Sequence, residues 1–300
     1  MNITHLSRLN HFLVLLSFSA CAGLAPAQQP QPEQDGIAVK PMSAWRNLQD
    51  ERQVDQQASQ QYLALLGDAQ QKGELVPATH PQVLRLRAIA KRLIPFTTRW
   101  NERAADWRWE VNLLKSPEVN AFCMPGGRIA FYSGILTTLK LTDDEVAVVM
   151  GHEIAHALRE HGREQAAKST ATSVAAKLAG AGLSAWLGVD PRLTDTATNM
   201  AAKGLILSYS RGDEREADLV GLDLAARAGF DPRAGIVLWQ KMAALNKSAP
   251  PAFLSTHPSG KDRIEQMEMH MGQVLPVYAR SKGVSVAQLP AYRGDATAGN

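Results

Sequence analysis

Residues 150–162 read MGHEIAHALREHG, crowding His152, Glu153, His156, Glu160 and His161 into a short stretch. On an α-helix, side chains four residues apart lie one above the other on a single face. His152 and His156 meet that condition, so both imidazoles can reach one ion. Glu153 is rotated by about 100° from His152, which lets it flank a metal without binding it. This is the mechanical content of HExxH: two zinc ligands and a general base on one helical turn. His161 follows His156 by five residues and His152 by nine. A rotation of about 180° from His152 points it away from the metal and predicts a surface or inter-helix histidine. The longer HExxHxxGxxH pattern fails, because Arg159 stands at its glycine position and Gly162 at its last histidine.

A catalytic zinc takes three protein ligands, and the richest source of a third is SYSRGDEREADLVG, residues 208–221. Glu214 and Asp218 are four apart and share a helical face, whereas Glu216 is turned about 200° from Glu214. One face can therefore supply Glu214 as a ligand and Asp218 as acceptor for the free N–H of a ligating histidine, His152, which sets its tautomer. Taken alone, the stretch also fits a solvated helix of alternating charge in which Arg211 and Arg215 pair with neighbouring acids. The upstream motif favours the ligand reading. Two imidazoles and one carboxylate suit zinc.

HEIAH followed by SRGDEREAD resembles family forty-eight of the gluzincin zinc metallopeptidases, the family of HtpX and the CAAX prenyl proteases. NAFCMPGGRIAFYSGIL before the motif and STHPSGKDRIEQM after it extend the resemblance over roughly residues 75 to 270. The resemblance implies His152, His156 and Glu214 as ligands of one Zn2+ per chain, with Glu153 as general acid and base. It also implies a regulatory or a catalytic, transition-state role for His257, whose counterpart in BepA-like relatives can approach the zinc and block or regulate it. The competing reading of His257 is a turn residue packed beside Pro258 and Gly260. Arg263 and Tyr209 stand outside the core site. HtpX and the prenyl proteases carry several membrane spans. This sequence shows none, which turns the resemblance toward the exported BepA- or LoiP-like branch. The activity implied is a zinc metalloendopeptidase cleaving unfolded, misfolded or envelope proteins, in contact with outer-membrane assembly machinery. The rival is a metal-containing periplasmic chaperone or assembly factor with little proteolysis.

The elements that must position these residues are mostly helical. PQVLRLRAIAKRLIPF carries Val83, Leu86, Ile89, Ala90 and Leu93 on one helical stripe, and the polar segment from Trp45 to Lys72 also reads as helix. WRWEVNLL and GRIAFYSG read as strands, the second preceded by the turn signal PGG. GRIAFYS is expected at an open sheet edge beside the cleft, where a peptide can add as a further strand. Thr142 and Glu145 form a capping box, with Asp143 and Asp144 at the positive end of the helix dipole. That helix is expected to run to about Glu164. Two more helices are expected near 211–228 and 232–246, and residues 165–208 as a lid over the cleft. The fold class is α+β, predominantly helical: a zincin-like metallopeptidase domain with a small β-sheet beside the HExxH helix.

The chain has 300 residues, 32 basic against 29 acidic, for a net charge of +3. No strong field favours nucleic acid, and no basic run is interleaved with aromatics. FLVLLSFSACAGLA, starting at Phe12, is shorter than the roughly 20 residues a spanning helix needs and reads as an export signal. Two cleavage sites compete: a lipobox ending at Cys21, which would leave a lipid anchor, and APA ending at Ala27. The expected organisation is a signal over 1–27, a flexible spacer over 28–44, the peptidase domain over 45–285 and a disordered tail over 286–300. The expected location is the periplasm, with any membrane contact made through Cys21. Cys123 is left without a partner and reads as a small buried hydrophobe.

Overall fold

The computed structural model describes residues 35–171, 209–245, 252–257 and 261–294. The export signal with Cys21, the first part of the spacer, most of the expected lid, the turn at Pro258 and Gly260, and the end of the tail lie outside the described residues. Helix α1 (Glu51–Gln71) is capped by Asp50. Helix α2 (Pro81–Leu93) buries Val83, Leu86, Ile89, Ala90 and Leu93, the stripe read from the sequence. A three-stranded sheet follows: β1 (Glu110–Leu114), β2 (Ala121–Met124) and β3 (Arg128–Tyr132), in the spatial order β1-β3-β2. β3 pairs parallel with β1 and antiparallel with β2, so that Ile129 lies between Val111 and Cys123. The PGG turn joins β2 to β3 through Gly126 and Gly127, at φ of 79° and 81°, a left-handed conformation that glycine adopts without a Cβ clash.

This order corrects one expectation. GRIAFYS forms the central strand, not an edge, and the outer strand that packs against the HExxH helix is β2. Strand alternation reports which face of a sheet is buried, not which neighbour a strand takes.

After a short helix α3 (Ser133–Thr138) comes α4 (Asp143–Leu158), opened by the Thr142–Glu145 capping box. Every residue of α4 from Glu145 to Leu158 is buried, so its polar side chains depend on partners within the protein. The helix does not run on to Glu164. It breaks after Leu158, where Glu160 takes a φ of 56°, and helix resumes over 161–171. Arg46 and Arg163 grip the Glu160 carboxylate at 2.8 and 3.0 Å, and Arg103 also pairs with it. These contacts hold a non-glycine residue in a conformation that otherwise costs free energy.

Helix α5 (Arg211–Arg227) starts with its own capping box, Ser210 and Asp213. Helices α6 (Ala234–Leu245), α7 (Ala252–Thr256) and α8 (Lys261–Ser281) follow. Helices α4 and α5 cross backbone on backbone. A Cβ on Gly151 would lie 2.8 Å from the Gly221 carbonyl oxygen, and one on Gly221 would lie 2.7 Å from the His152 nitrogen. The paired glycines let the helices approach more closely than side chains allow, and this crossing brings the two motif segments together.

Short segments near both ends of the described residues also pack on the core. Within the expected spacer, Ile37 is buried and donates its N–H to Asp223 at 3.3 Å, and Arg159 donates to the Lys40 carbonyl at 2.5 Å. Residues 35–43 are thus a strap seated on the domain. In the expected tail, Val286–Gln288 forms a 3-10 turn, and Leu289 and Tyr292 pack against the core. A composition rich in proline, glutamine or small polar residues lowers the average tendency to pack; a few well-placed apolar side chains reverse it locally.

Candidate active site

Helix α4 carries His152, Glu153 and His156, all buried. Helix α5 crosses it to deliver Glu214 and Asp218, and His257 follows directly on the end of α7. One ligand atom from each of His152, His156, Glu214 and His257 lies within 4.8 Å of the other three. His156 Nε2 is 3.1 Å from His152 Nε2 and 3.4 Å from Glu214 Oε1. His257 Nδ1 is 3.2 Å from His152 Nε2 and 3.0 Å from Glu214 Oε1. Glu153 stands beside this group, its Oε1 3.6 Å from His257 Nε2.

The residues fit a single divalent cation. Imidazole lone pairs and a carboxylate face one another in a dry site, an arrangement that is unfavourable unless protons or a cation stand between them. Nitrogen and oxygen donors of this kind are those of zinc. Among the described residues, Glu153 Oε1 is buried without a hydrogen-bond partner, which marks it as a group whose partner comes with the chemistry.

The electrostatics agree with that reading. Burial, with His152, His257 and His161 adding to it against the pull of Glu214, holds His156 far below the usual histidine range, in the neutral form that binds metal. Burial raises the Glu153 carboxyl above its ordinary value, against the attraction of His257 and His152. For Glu214, burial is outweighed by hydrogen bonds from His156 and His257 and by His152 and Arg263, so it stays ionised.

Asp218 Oδ1 lies 3.0 Å from His152 Nδ1, on the ring edge opposite the cluster. Arg263, from α8, is buried between the two carboxylates, 2.5 Å from Glu214 Oε2 and 2.6 Å from both Asp218 oxygens. Its guanidinium also stacks 3.6 Å over the Trp239 ring. Tyr209 stacks on the His156 ring at 3.9 Å, and Phe253 on His257 at 4.4 Å. The sequence alone leaves Arg263 and Tyr209 outside the core site. Neither lies at a helical spacing from a ligand, so only the folded chain makes them neighbours.

His161 stands outside the ligand cluster, as its spacing predicts, but it is an inter-helix residue and not a surface one. It is 3 % exposed, and its Nδ1 sits 2.9 Å from His156 Nδ1. A rotation of about 180° holds only along one unbroken helix, and the left-handed residue Glu160 ends that helix before His161.

Residues 80–270, which hold every one of these side chains, match the family model described as Peptidase family M48. The chain belongs to peptidase family M48. It is 34% identical over 224 residues to the mitochondrial metalloendopeptidase OMA1 of Schizosaccharomyces pombe, covering 74% of this chain and 61% of that protein. To the Arabidopsis thaliana OMA1 it is 41% identical over 172 residues, 57% of this chain and 33% of the relative. A putative beta-barrel assembly-enhancing protease of Vibrio cholerae is 35% identical over 174 residues, 55% of this chain and 35% of that protein. The chain thus spans between about a third and three-fifths of the length of these relatives.

Proposed function

We propose that this M48 member is a zinc-dependent endopeptidase acting on unfolded or misfolded polypeptide. The observation that carries the reading is the convergence of His152, His156 and Glu214 from two crossing helices, with the Glu153 carboxylate alongside. His152, His156 and Glu214 would hold the ion. Zinc, when bound, lowers the pKa of water toward about 7 and polarises a carbonyl. Glu153 serves as general base: it takes a proton from the attacking water and returns it to the leaving amine. Burial raises its carboxyl above the ordinary value, which makes it a stronger proton acceptor. Asp218 accepts from His152 Nδ1 and keeps the Nε2 lone pair turned to the ion.

The outer strand β2, packed along α4, offers main-chain groups to which an extended peptide can add, a mode with little sequence preference. A pocket beside His156, walled by Val54, Trp107, Cys123 and Tyr209, would take a substrate side chain. The likeness to beta-barrel assembly-enhancing proteases supports placing the protein in the exported branch, with envelope proteins as substrates and assembly machinery as partner. On that reading the signal delivers the chain to the periplasm, and Cys21 is where a lipid anchor would sit. Among the described residues no helix is long and apolar enough to cross a membrane.

A second reading has its own support. A ring nitrogen of His257 lies within 4.8 Å of the ligand atoms of His152, His156 and Glu214, and a site closed by four protein ligands is the structural rather than the catalytic pattern. The protein would then act as a metal-containing chaperone or assembly factor until His257 moves. Casein digestion with and without chelator separates the two readings, because chaperone action should survive chelation and proteolysis should not. Glu153→Gln should retain zinc and lose at least about 100-fold in cleavage rate. Full cleavage by that variant would end the assigned role.

A further inference from the structure

Each histidine ligand needs its Nδ1 proton accepted, so that the Nε2 lone pair is free for the ion. His152 has Asp218 for this purpose, but among the described residues no carboxylate stands at His156 Nδ1. The atom there is His161 Nδ1, at 2.9 Å. Two facing ring nitrogens form a hydrogen bond only if one carries the proton and the other does not. With His156 Nε2 turned into the cluster, its proton belongs on Nδ1, which makes His161 Nδ1 the acceptor. His161 is then protonated on Nε2, and the atom facing that nitrogen is Glu216 Oε1, at 3.9 Å. Glu216 is itself held by the Arg159 guanidinium, which also donates to the Lys40 carbonyl of the N-terminal strap.

We propose that His161 is a positioning residue for the metal centre: its Nδ1 accepts a hydrogen bond from the Nδ1–H of His156, and it is oriented from behind by Glu216 and Arg159. The chain of contacts is carboxylate, histidine, ligand histidine, where the His152 side has carboxylate and ligand only. The break in α4 at Glu160 makes this possible, since an unbroken helix would carry His161 to the opposite face. This inference rests on His156 being a zinc ligand, as the proposed function has it.

The test compares two variants of similar bulk. His161→Asn keeps an oxygen near the position of the Nδ1 acceptor, and His161→Leu removes the acceptor. Zinc affinity of the full chain, read by competition with a chromophoric chelator, should fall about 10- to 100-fold for His161→Leu and stay within about threefold for His161→Asn. Equal losses in both would show that packing alone matters and would overturn the proposal, as would unchanged affinity in His161→Leu. Nitrogen-15 spectra of histidine-labelled, unsubstituted protein with zinc give a reading that does not depend on how the variants fold. They should find the proton on Nδ1 of His156 and on Nε2 of His161; a proton on Nδ1 of His161 overturns the proposal. Failure of the unsubstituted protein to take up zinc would overturn the metal centre and the relay with it, whereas normal uptake by His161→Leu overturns the relay alone.

Discussion

Buried 2.5 Å from Glu214 and 2.6 Å from Asp218, the Arg263 guanidinium offsets two negative charges that burial alone would neutralise. Burial raises the Asp218 carboxyl, but Arg263 and His152 pull it below its ordinary value, and Glu214 is likewise held low. A carboxyl with a depressed folded pKa adds stability that is present above its unfolded value, about 4, and lost as pH falls toward the folded value. The metal-free protein should therefore lose thermal stability as pH is lowered from about 5 to 3. Arg263→Met should destabilise it by about 3–5 kcal/mol at pH 7 and flatten that acid limb, since one partner is already gone. Melting curves across pH check both; an unaltered profile in Arg263→Met would remove the guanidinium from the account. His257→Ala should retain zinc and cleave faster if the histidine closes the site. Slower cleavage would instead assign His257 to the reaction.

At the scale of elements, the site depends on how closely α4 and α5 cross. Gly221→Ala places a methyl 2.7 Å from a backbone nitrogen of α4, where nothing flexible can yield. The helices must separate, which should cost about 1–3 kcal/mol and weaken zinc binding by moving Glu214 from the histidine pair. Gly212→Ala is the control on the same helix, since among the described residues its Cβ meets only Ser210 Oγ at 3.5 Å. It should leave both denaturant midpoint and zinc affinity intact, and equal behaviour of the two variants would refute the role of the crossing. Several elements are legible in the sequence because their signals are local: the α2 stripe, the Thr142 capping box and the PGG turn. β2 is not, since Ala121–Met124 is four apolar residues with no alternation to read. The break after Leu158 is equally silent, because the arginines that stabilise Glu160 include the distant Arg46 and Arg103 as well as the neighbouring Arg163.

For the whole molecule, a ligand that binds only the folded chain adds stability in proportion to its saturation. Zinc held by residues from two separate segments has no such site in the unfolded chain, so chelation should lower the melting temperature. At free zinc one hundred times its dissociation constant the loss is about 2.7 kcal/mol. A melting temperature indifferent to chelator and to added zinc would count against the centre. The identities and spacing along the chain already determined the two imidazoles on one helical face, the flanking Glu153 and the candidate Glu214, because four-residue periodicity is a property of the backbone and needs no neighbours. What only the tertiary structure decided was which distant groups complete the set: Arg263 between the carboxylates, His257 in the ligand cluster, His161 behind His156 and β2 as the outer strand. The helix-borne contacts among them depend on a glycine-to-glycine helix crossing and a left-handed break, and neither has a signature in local spacing.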